Sequence, residues 1–429
     1  AREGDDGDQQ DAEHELRDAG DDRGHRDERA IEPGVAVPGR EHPDAASRDG
    51  ACGQERNQNK GFKMEKEIRK EEPRLMKGNE ALAEAAIRAD IDAYFGYPIT
   101  PQSEVIEYLM REVPNRKDKK IVVLQAESEV ASINMVYGAA GAGARVMTSS
   151  SSPGISLMQE GISYIASAQL PCLIVNVVRG GPGLGTIQPS QGDYFQATKG
   201  GGHGDYHLIV LAPASVQEMA DFVFDAFRLA EKYRNPAMIL ADGALGQMME
   251  KVVLPPDGGL TKQPKPWATT GKTKDRNHNI ITSLFIQPEE MEKVNLELQK
   301  KYEAMQSEVR WEEFQTDDAE ILLVAFGLSA RICQKVVDLG REKGIKIGLL
   351  RPITLYPFPY KRIAELADKV EFILDVEMNA GQMVEDVRLA VEGKVPVYFK
   401  GRMGGMIATP EEILQEVEAI HEKQNVLHD

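Results

Sequence analysis

The sequence predicts an α/β protein with two domains, the first of them a parallel sheet that carries helices on both faces. Three observations predict this fold. Short apolar runs rich in β-branched residues alternate with helical patterns over residues 77–250, which is typical of parallel strands joined by helices. The same alternation resumes at residue 319, after a polar connector. The length of 429 residues exceeds that of one ordinary domain.

Residues 1–63 differ in composition from the rest of the chain. They are dense in Asp, Glu, Arg, Gly and Gln and contain few large apolar residues. Such a segment cannot bury enough apolar surface to offset the entropy lost on ordering, so we expect it to be disordered. Because the chain begins with Ala, and Met64 and Met76 lie just before the globular pattern, we interpret residues 1–63 as an upstream extension outside the working protein.

The first domain is expected over residues 77–250. Its predicted strands are short β-branched runs separated by helices or Gly-rich turns: AYFGYP, KIVVLQ, ARVMTS, PCLIVNVV, YHLIVLAP and PAMILAD. Apolar residues at i, i+3 and i+4 predict helices in NEALAEAAIRADI and SEVIEYLMREV. In such an open sheet a ligand binds beyond the carboxyl ends of the strands, so the segments that follow the strands are the expected place of a site.

Residues 251–318 are expected to form a linker rich in Lys, Pro and Asp, with one amphipathic helix around PEEMEKVNLELQKKYEAMQSEV. A second α/β domain is expected over residues 319–421. Its predicted strands are EILLVAFG, GIKIGLLRP, VEFILDV and VPVYF, and its predicted helices are ARICQKVVDLGREK, YKRIAELAD and GQMVEDVRLAVE.

Composition excludes several classes of function. The formal net charge of −18 argues against nucleic-acid binding, which requires a basic face. No uninterrupted apolar run is long enough to cross a bilayer, which favours a soluble protein without a membrane partner. The three cysteines, Cys52, Cys172 and Cys333, are far apart and form no CxxC pair. The chain therefore cannot ligate an iron–sulfur cluster alone, and a reducing cytoplasm is the expected location.

A pair of carboxylates stands where the strand KIVVLQ ends and an Ala/Gly-rich helix begins. Glu127 and Glu129 would interact favourably with the helix macrodipole, which is a sufficient structural reason for a lone acid. Glu129 is followed by Val, Ala and Ser and not by a charged run, so we expect it to face packed structure. A buried carboxyl has a raised pKa and can hold a proton on a ring nitrogen. We therefore favour a functional role for Glu129 over one for Glu127.

Two further residues at the ends of predicted strands are candidate substrate ligands. Thr100 lies between Pro98 and Pro101, which restrict the backbone, and it is either a turn residue or an aimed hydroxyl. Arg179 ends the strand PCLIVNVVR. Its guanidinium suits a substrate carboxylate or a structural ion pair.

Glycine-rich segments and histidines are weaker signals. GAAGAG lies within a helical pattern, so its glycines are expected to permit close helix packing, and a nucleotide role is the minor alternative. GGPGLG follows Arg179 and lacks the Lys-Ser/Thr ending of a P-loop, so it is either a flexible active-site loop or a turn. His203 and His207 lack a third ligand in register and are interpreted as loop histidines rather than metal ligands.

Several strings, in this order, resemble the α subunit of 2-oxoacid:ferredoxin oxidoreductases: GYPITP, QAESEVASINMVYGAAGAGA, TSSSSPGISLMQEGISY, VNVVRGGPGLGTIQPSQGDYFQATKGGGHGDYHLIVLAP and VEMNAGQMVEDVRLAV. The resemblance runs from about residue 77 to the carboxyl terminus. The segment 180–204 is most similar to members of the 2-oxoisovalerate type, whereas pyruvate and 2-oxoglutarate members share the fold and most motifs. The resemblance implies thiamine-dependent oxidative decarboxylation of a branched-chain 2-oxoacid, with coenzyme A as acyl acceptor and ferredoxin as electron acceptor.

The resemblance also implies domain types and residue roles. Residues 77–250 would hold the aminopyrimidine of thiamine diphosphate, and residues 319–421 would resemble a transketolase carboxyl-terminal domain. Glu129 matches the glutamate that hydrogen-bonds the pyrimidine ring, Thr100 the hydroxyl near the substrate, and Arg179 the carboxylate-binding arginine. The cofactor-binding segment also includes Tyr97, Pro98 and Ile99.

Family features that this chain lacks predict partner subunits. Family members bind the diphosphate and Mg²⁺ through Gly-Asp-Gly followed by Asn, whereas the nearest string here, ADGAL, lacks the first glycine. Three cysteines are too few for the clusters. We therefore expect a β subunit with the diphosphate and Mg²⁺ site, and ferredoxin-like and γ subunits, without which the chain is inactive. The alternatives are a noncatalytic scaffold subunit and, on the glycine loops alone, a nucleotide-dependent dehydrogenase.

Overall fold

The computed structural model describes residues 72–428, so the expected disorder of residues 1–63 falls outside the described residues. The strands are β1 (Arg74–Lys77), β2 (Ala93–Gly96), β3 (Val122–Gln125), β4 (Val146–Ser150), β5 (Leu173–Val178), β6 (Ile209–Leu211), β7 (Ala237–Asp242), β8 (Met249–Val252), β9 (Trp311–Phe314), β10 (Ile321–Val324), β11 (Ile347–Pro352), β12 (Thr354–Tyr356), β13 (Phe372–Glu377) and β14 (Val397–Gly401). The α-helices are α1 (Gly78–Arg88), α2 (Ser103–Glu112), α3 (Glu129–Gly141), α4 (Ser152–Ser167), α5 (Tyr194–Thr198), α6 (Val216–Tyr233), α7 (Gly243–Gln247), α8 (Pro288–Met305), α9 (Gly327–Glu342), α10 (Tyr360–Ala367), α11 (Met383–Val391) and α12 (Pro410–His428).

The first sheet has seven strands in the order β12-β6-β7-β5-β4-β2-β3. Every pair is parallel except β12 with β6. The central strands β5 and β7 are buried at every residue, as expected for parallel strands covered on both faces. The predicted α/β class is thus confirmed. The chain passes from β2 to β3 on one side and continues through β4 on the other, so the topological switch point lies between β2 and β4.

The second sheet has five strands in the order β14-β13-β10-β11-β9, all parallel except β9 with β11. Its first parallel strand, β10, lies between β11 and β13, so the switch point of this sheet lies between β10 and β13. A separate apolar cluster packs on it, including residues of α9 and α12 such as Val336 and Val417. None of the helices within residues 72–428 is long and apolar enough to span a bilayer.

Three pairings join segments that the sequence treats as separate. β1 and β8 form a two-stranded antiparallel sheet, which joins the two ends of the first domain. β9 lies inside the segment expected as a linker and is the edge strand of the second sheet. β12 lies within the segment expected as the second domain and pairs with β6 of the first sheet. Strands of three or four residues contain too little periodicity to reveal such partners.

Candidate active site

Four neighbouring strands of the first sheet, β5, β4, β2 and β3, end at one edge. Arg179 follows β5, a serine-rich turn follows β4, and the first turn of α3 comes shortly after β3. Tyr97, Pro98, Ile99 and Thr100 follow β2. The topology therefore brings all the predicted site residues to the carboxyl edge of the sheet, around its switch point, where open α/β folds bind ligands.

Glu129 is the buried member of the acid pair, with 7% of its surface exposed, whereas Glu127 is exposed. The Ser128 hydroxyl caps α3 by accepting a hydrogen bond from the main-chain N–H of Ala131 at 3.1 Å, which fixes the first turn of the helix. Within residues 72–428 no group donates a hydrogen bond to the Glu129 carboxylate. A buried carboxylate without a donor is costly, so this arrangement suits a ligand that brings its own polar hydrogen.

A glycine lets α4 approach this carboxylate closely. A Cβ atom at Gly154 would lie 2.7 Å from Oε1 of Glu129 and 2.1 Å from Oγ of Ser150, both closer than real Cβ contacts. The Ser150 hydroxyl is itself buried and has no hydrogen-bond partner among the described residues. Sequence reasoning missed Ser150 and Gly154, because the run TSSSSPG contains four similar serines and only packing distinguishes them.

Two side chains hold the main chain of the segment that follows β2: Asn79 of α1, and Gln102 at the end of the segment itself. Nδ2 of Asn79 donates to the Pro101 carbonyl at 2.7 Å, and Nε2 of Gln102 donates to the Tyr97 carbonyl at 3.3 Å. The side chains of Tyr97 and Thr100 stay exposed. A fixed backbone with exposed side chains is the arrangement expected of a segment that contacts a ligand.

Arg179 connects the segment after β2 to the glycine-rich loop that follows β5. Its Nη1 donates to the Thr100 carbonyl at 3.0 Å, and its Nη2 donates to the Leu184 carbonyl at 2.9 Å. The Nε–H has no partner, and no carboxylate within the described residues forms an ion pair with Arg179. The structural ion pair that was the alternative for this residue is therefore not formed there. A guanidinium has five N–H donors, so donors remain for a bound carboxylate.

The two glycine-rich segments and His207 lie in different surroundings in the structure. In GGPGLG, Gly180 is buried and residues 181–185 are exposed, with Gly183 and Gly185 in the left-handed region (φ of 68° and 56°). The expectation that close helix packing requires Gly138 in GAAGAG is wrong, because a Cβ atom there would meet no atom of residues 72–428 within 4 Å, apart from its own helix and chain neighbours. The ring of His207 stacks on that of Tyr356 at 4.2 Å, and burial lowers the pKa of this histidine.

Comparisons with known proteins identify relatives of this chain. The family described as "Pyruvate flavodoxin/ferredoxin oxidoreductase, thiamine diP-bdg" matches residues 84–315, and "Pyruvate:ferredoxin oxidoreductase core domain II" matches residues 319–413. The chain is 51% identical over 352 residues to the ketoisovalerate oxidoreductase subunit VorB of Methanothermobacter marburgensis, covering 82% of this chain and 99% of that protein. It is 37% identical over 366 residues to the 2-oxoglutarate synthase subunit KorA of Methanocaldococcus jannaschii, covering 80% and 98%.

A solved structure is similar over both domains. It is the 2-oxoglutarate:ferredoxin oxidoreductase from Magnetococcus marinus with 2-oxoglutarate, coenzyme A and succinyl-CoA bound. The TM-score is 0.73 at 27% identity, and the match covers 81% of this chain and 65% of that chain. The chain thus spans somewhat less than two thirds of the length of that protein.

Proposed function

Because this chain belongs to the family of 2-oxoacid:ferredoxin oxidoreductases, we propose that it is the α subunit of a heteromeric enzyme that acts on 2-oxoisovalerate. The reaction converts this branched-chain 2-oxoacid and coenzyme A into acyl-CoA and CO₂, with ferredoxin as electron acceptor. The 51% identity to a ketoisovalerate oxidoreductase subunit supports this substrate. The relatives named for 2-oxoglutarate, at 37% identity, make 2-oxoglutarate the second candidate.

The central observation is the buried Glu129 carboxylate, which has no donor within the described residues and lies against Gly154. These residues fit the aminopyrimidine of thiamine diphosphate, whose ring nitrogen shares a proton with an acid. Bound thiamine diphosphate supplies the carbon nucleophile and the electron sink for decarboxylation. Glu129 would hold the ring and its proton. The Ser150 hydroxyl, which has no partner in the described part of the chain, would offer a further hydrogen bond beside it, and residues 97–100 would border the ring.

Arg179 would bind the substrate carboxylate with the donors that the Thr100 and Leu184 carbonyls leave free. The adjoining loop presents Leu184, 82% exposed, and Ile187, also exposed. Residues 180–190 contain no lysine or arginine. Because 2-oxoglutarate has a second carboxylate that requires a second cation, this apolar loop favours a substrate with an aliphatic side chain.

We assign the remaining cofactors to partner subunits. The chain has no Gly-Asp-Gly string and three cysteines, which supports placing the Mg²⁺ and diphosphate site on a β subunit and the iron–sulfur clusters on ferredoxin-like and γ subunits. The relatives are themselves named as subunits.

The test uses the assembled complex, with a viologen dye as electron acceptor and a panel of 2-oxoisovalerate, pyruvate and 2-oxoglutarate. We expect the highest kcat/KM with 2-oxoisovalerate and no turnover by the isolated chain. Glu129→Gln should lower kcat by about 10²- to 10⁴-fold, the usual loss on removing a general acid or base. Glu127→Gln, two residues away and exposed, is the matched control and should change little. A fully active Glu129→Gln complex would support a scaffold subunit instead, and a preference for 2-oxoglutarate would correct the substrate.

A further inference from the structure

The segment of the first domain that follows the glycine-rich loop contacts the second domain. The main-chain N–H of Gly180 donates to the Gln188 carbonyl at 2.9 Å, and Arg179 forms an isolated antiparallel bridge with Pro189. Two residues after this bridge, Gln191 is 2% exposed. Any constraint on Gln191 is therefore transmitted through a short paired segment to Arg179.

Gln191 is fixed by the second domain through five hydrogen bonds. Its main-chain N–H donates to the Met378 carbonyl at 3.0 Å, and its carbonyl accepts from Nδ2 of Asn379 at 2.9 Å. Its Oε1 accepts from the Ser329 hydroxyl at 2.9 Å and from the Met378 N–H at 3.0 Å. Its Nε2 donates to the Phe326 carbonyl at 2.8 Å. Every polar atom of this buried residue has a partner, so its position is tightly defined.

These partners mark the switch point of the second sheet. Phe326 and Ser329 follow β10, whereas Met378 and Asn379 follow β13, its neighbour. In open α/β sheets the crevice beyond the carboxyl ends of two such strands is where ligands bind. Here the side chain of Gln191, from the first domain, takes the place that a ligand would have.

The second domain also contacts the loop itself. A Cβ atom at Gly405 would lie 2.4 Å from Cβ of Gln188, and a Cβ atom at Gly180 would lie 2.9 Å from the main-chain nitrogen of Gly405. Asn379 is fixed in turn, because its Nδ2 also donates to Oε2 of Glu377 at 2.7 Å. The second domain therefore contacts the segment that follows this loop at Gln188 and again at Gln191.

We propose that Gln191 is a positioning residue, through which the second domain holds residues 188–191 and thereby the Arg179 guanidinium where the substrate carboxylate binds. This inference rests on the role of Arg179 in the proposed function. In this proposal the crevice at the carboxyl edge of the second sheet binds a segment of the same chain in place of a ligand.

The test is a double-mutant cycle in the assembled complex. Gln191→Ala should raise the KM for the 2-oxoacid about tenfold, while the KM for coenzyme A and the affinity for thiamine diphosphate stay unchanged. Arg179→Gln should raise the same KM, and adding Gln191→Ala to it should add little, because both changes disable one element. Glu218→Gln is the matched control. It weakens another contact between the domains, the pair with Arg351 at 2.7 and 2.8 Å, and should leave this KM unchanged.

Fully additive effects of Arg179→Gln and Gln191→Ala, or equal rises in the KM values of all substrates, would overturn the inference. If Gln191→Ala does not assemble, Ser329→Ala removes a single donor to Oε1 and should raise the 2-oxoacid KM about two- to threefold. No change in that variant would overturn it as well. An unaltered KM in Arg179→Gln would instead refute the substrate role of Arg179, and the inference with it.

Discussion

Gly154→Ala is the sharpest single perturbation of the proposed cofactor site. The new methyl group would lie 2.7 Å from Oε1 of Glu129 and 2.1 Å from Oγ of Ser150, whereas real Cβ contacts stay above 3.0 Å. Cγ of Glu129 would also lie 2.9 Å away, so the side chains of Ser150 and Glu129 must both rotate if the helix is to stay in place. The substitution therefore displaces the acid without removing it.

We expect Gly154→Ala to lower kcat clearly and to lower the stability of the fold only slightly. Overpacking of this kind costs about 1–3 kcal/mol, and rotation of the two side chains places it at the lower end. The Glu129 carboxylate must retreat by a few tenths of an ångström, and because a displacement of about 1 Å can cost about 10²-fold in rate, we expect kcat to fall roughly tenfold. The assay is dye reduction by the assembled complex, with thermal unfolding measured in parallel.

Gly138→Ala is the matched control, because a Cβ atom there would have open space within the described part of the chain. It lies in α3, the helix that begins with Glu129, and should stabilise that helix by up to about 1 kcal/mol with no change in kcat. A Gly154→Ala complex with unaltered kcat would refute the reasoning, since the position of the Glu129 carboxylate would then be irrelevant to turnover.

Two further predictions concern stability. The Arg145 guanidinium is fully buried and bonds both carboxylate oxygens of Glu231 at 2.9 and 3.0 Å, so Arg145→Met should cost about 3–5 kcal/mol; an unchanged urea midpoint would contradict this. Burial raises the pKa of Asp242 to about 6, so the folded protein binds a proton on this carboxyl more tightly than the unfolded chain does. The stability that this proton binding adds is fully present below the unfolded pKa of 3.8 and is lost as the pH rises through 6. Between pH 4 and pH 7 the unsubstituted chain should therefore lose up to about 3 kcal/mol relative to Asp242→Asn, and parallel pH profiles of the urea midpoint would count against that assignment.

The sequence predicts most of the strands because burial on both faces leaves continuous apolar runs, as in LIVNVV of β5 and ILLV of β10. It also separates Glu129 from Glu127, since Val, Ala and Ser and not a charged run follow Glu129, and the structure buries that acid. The roles of Glu129, Thr100 and Arg179 stay predictions, supported by their common edge of the sheet.

The function of Gln191 has no local signal in the sequence. A glutamine in a glycine- and proline-containing segment is typical of an exposed loop, and only the tertiary fold gives it partners from two strand ends of another sheet. The Ser150 hydroxyl likewise has no signal in the sequence, because its lack of a partner among residues 72–428 depends on how α4 packs against α3. Such long-range contacts are outside the reach of periodicity and turn chemistry.

The pairing of β12 with β6 limits how such subunits can diverge or be recombined. Three residues from beyond position 319 protect the outer edge of a sheet that is otherwise made from residues before it. A graft that exchanged the halves of two relatives at their boundary would pair this edge with a foreign strand, and expression of the leading half alone would leave the edge bare and prone to aggregation. The two halves are therefore coupled through this edge, and also through one apolar cluster that contains buried residues of both, such as Val177 and Leu322.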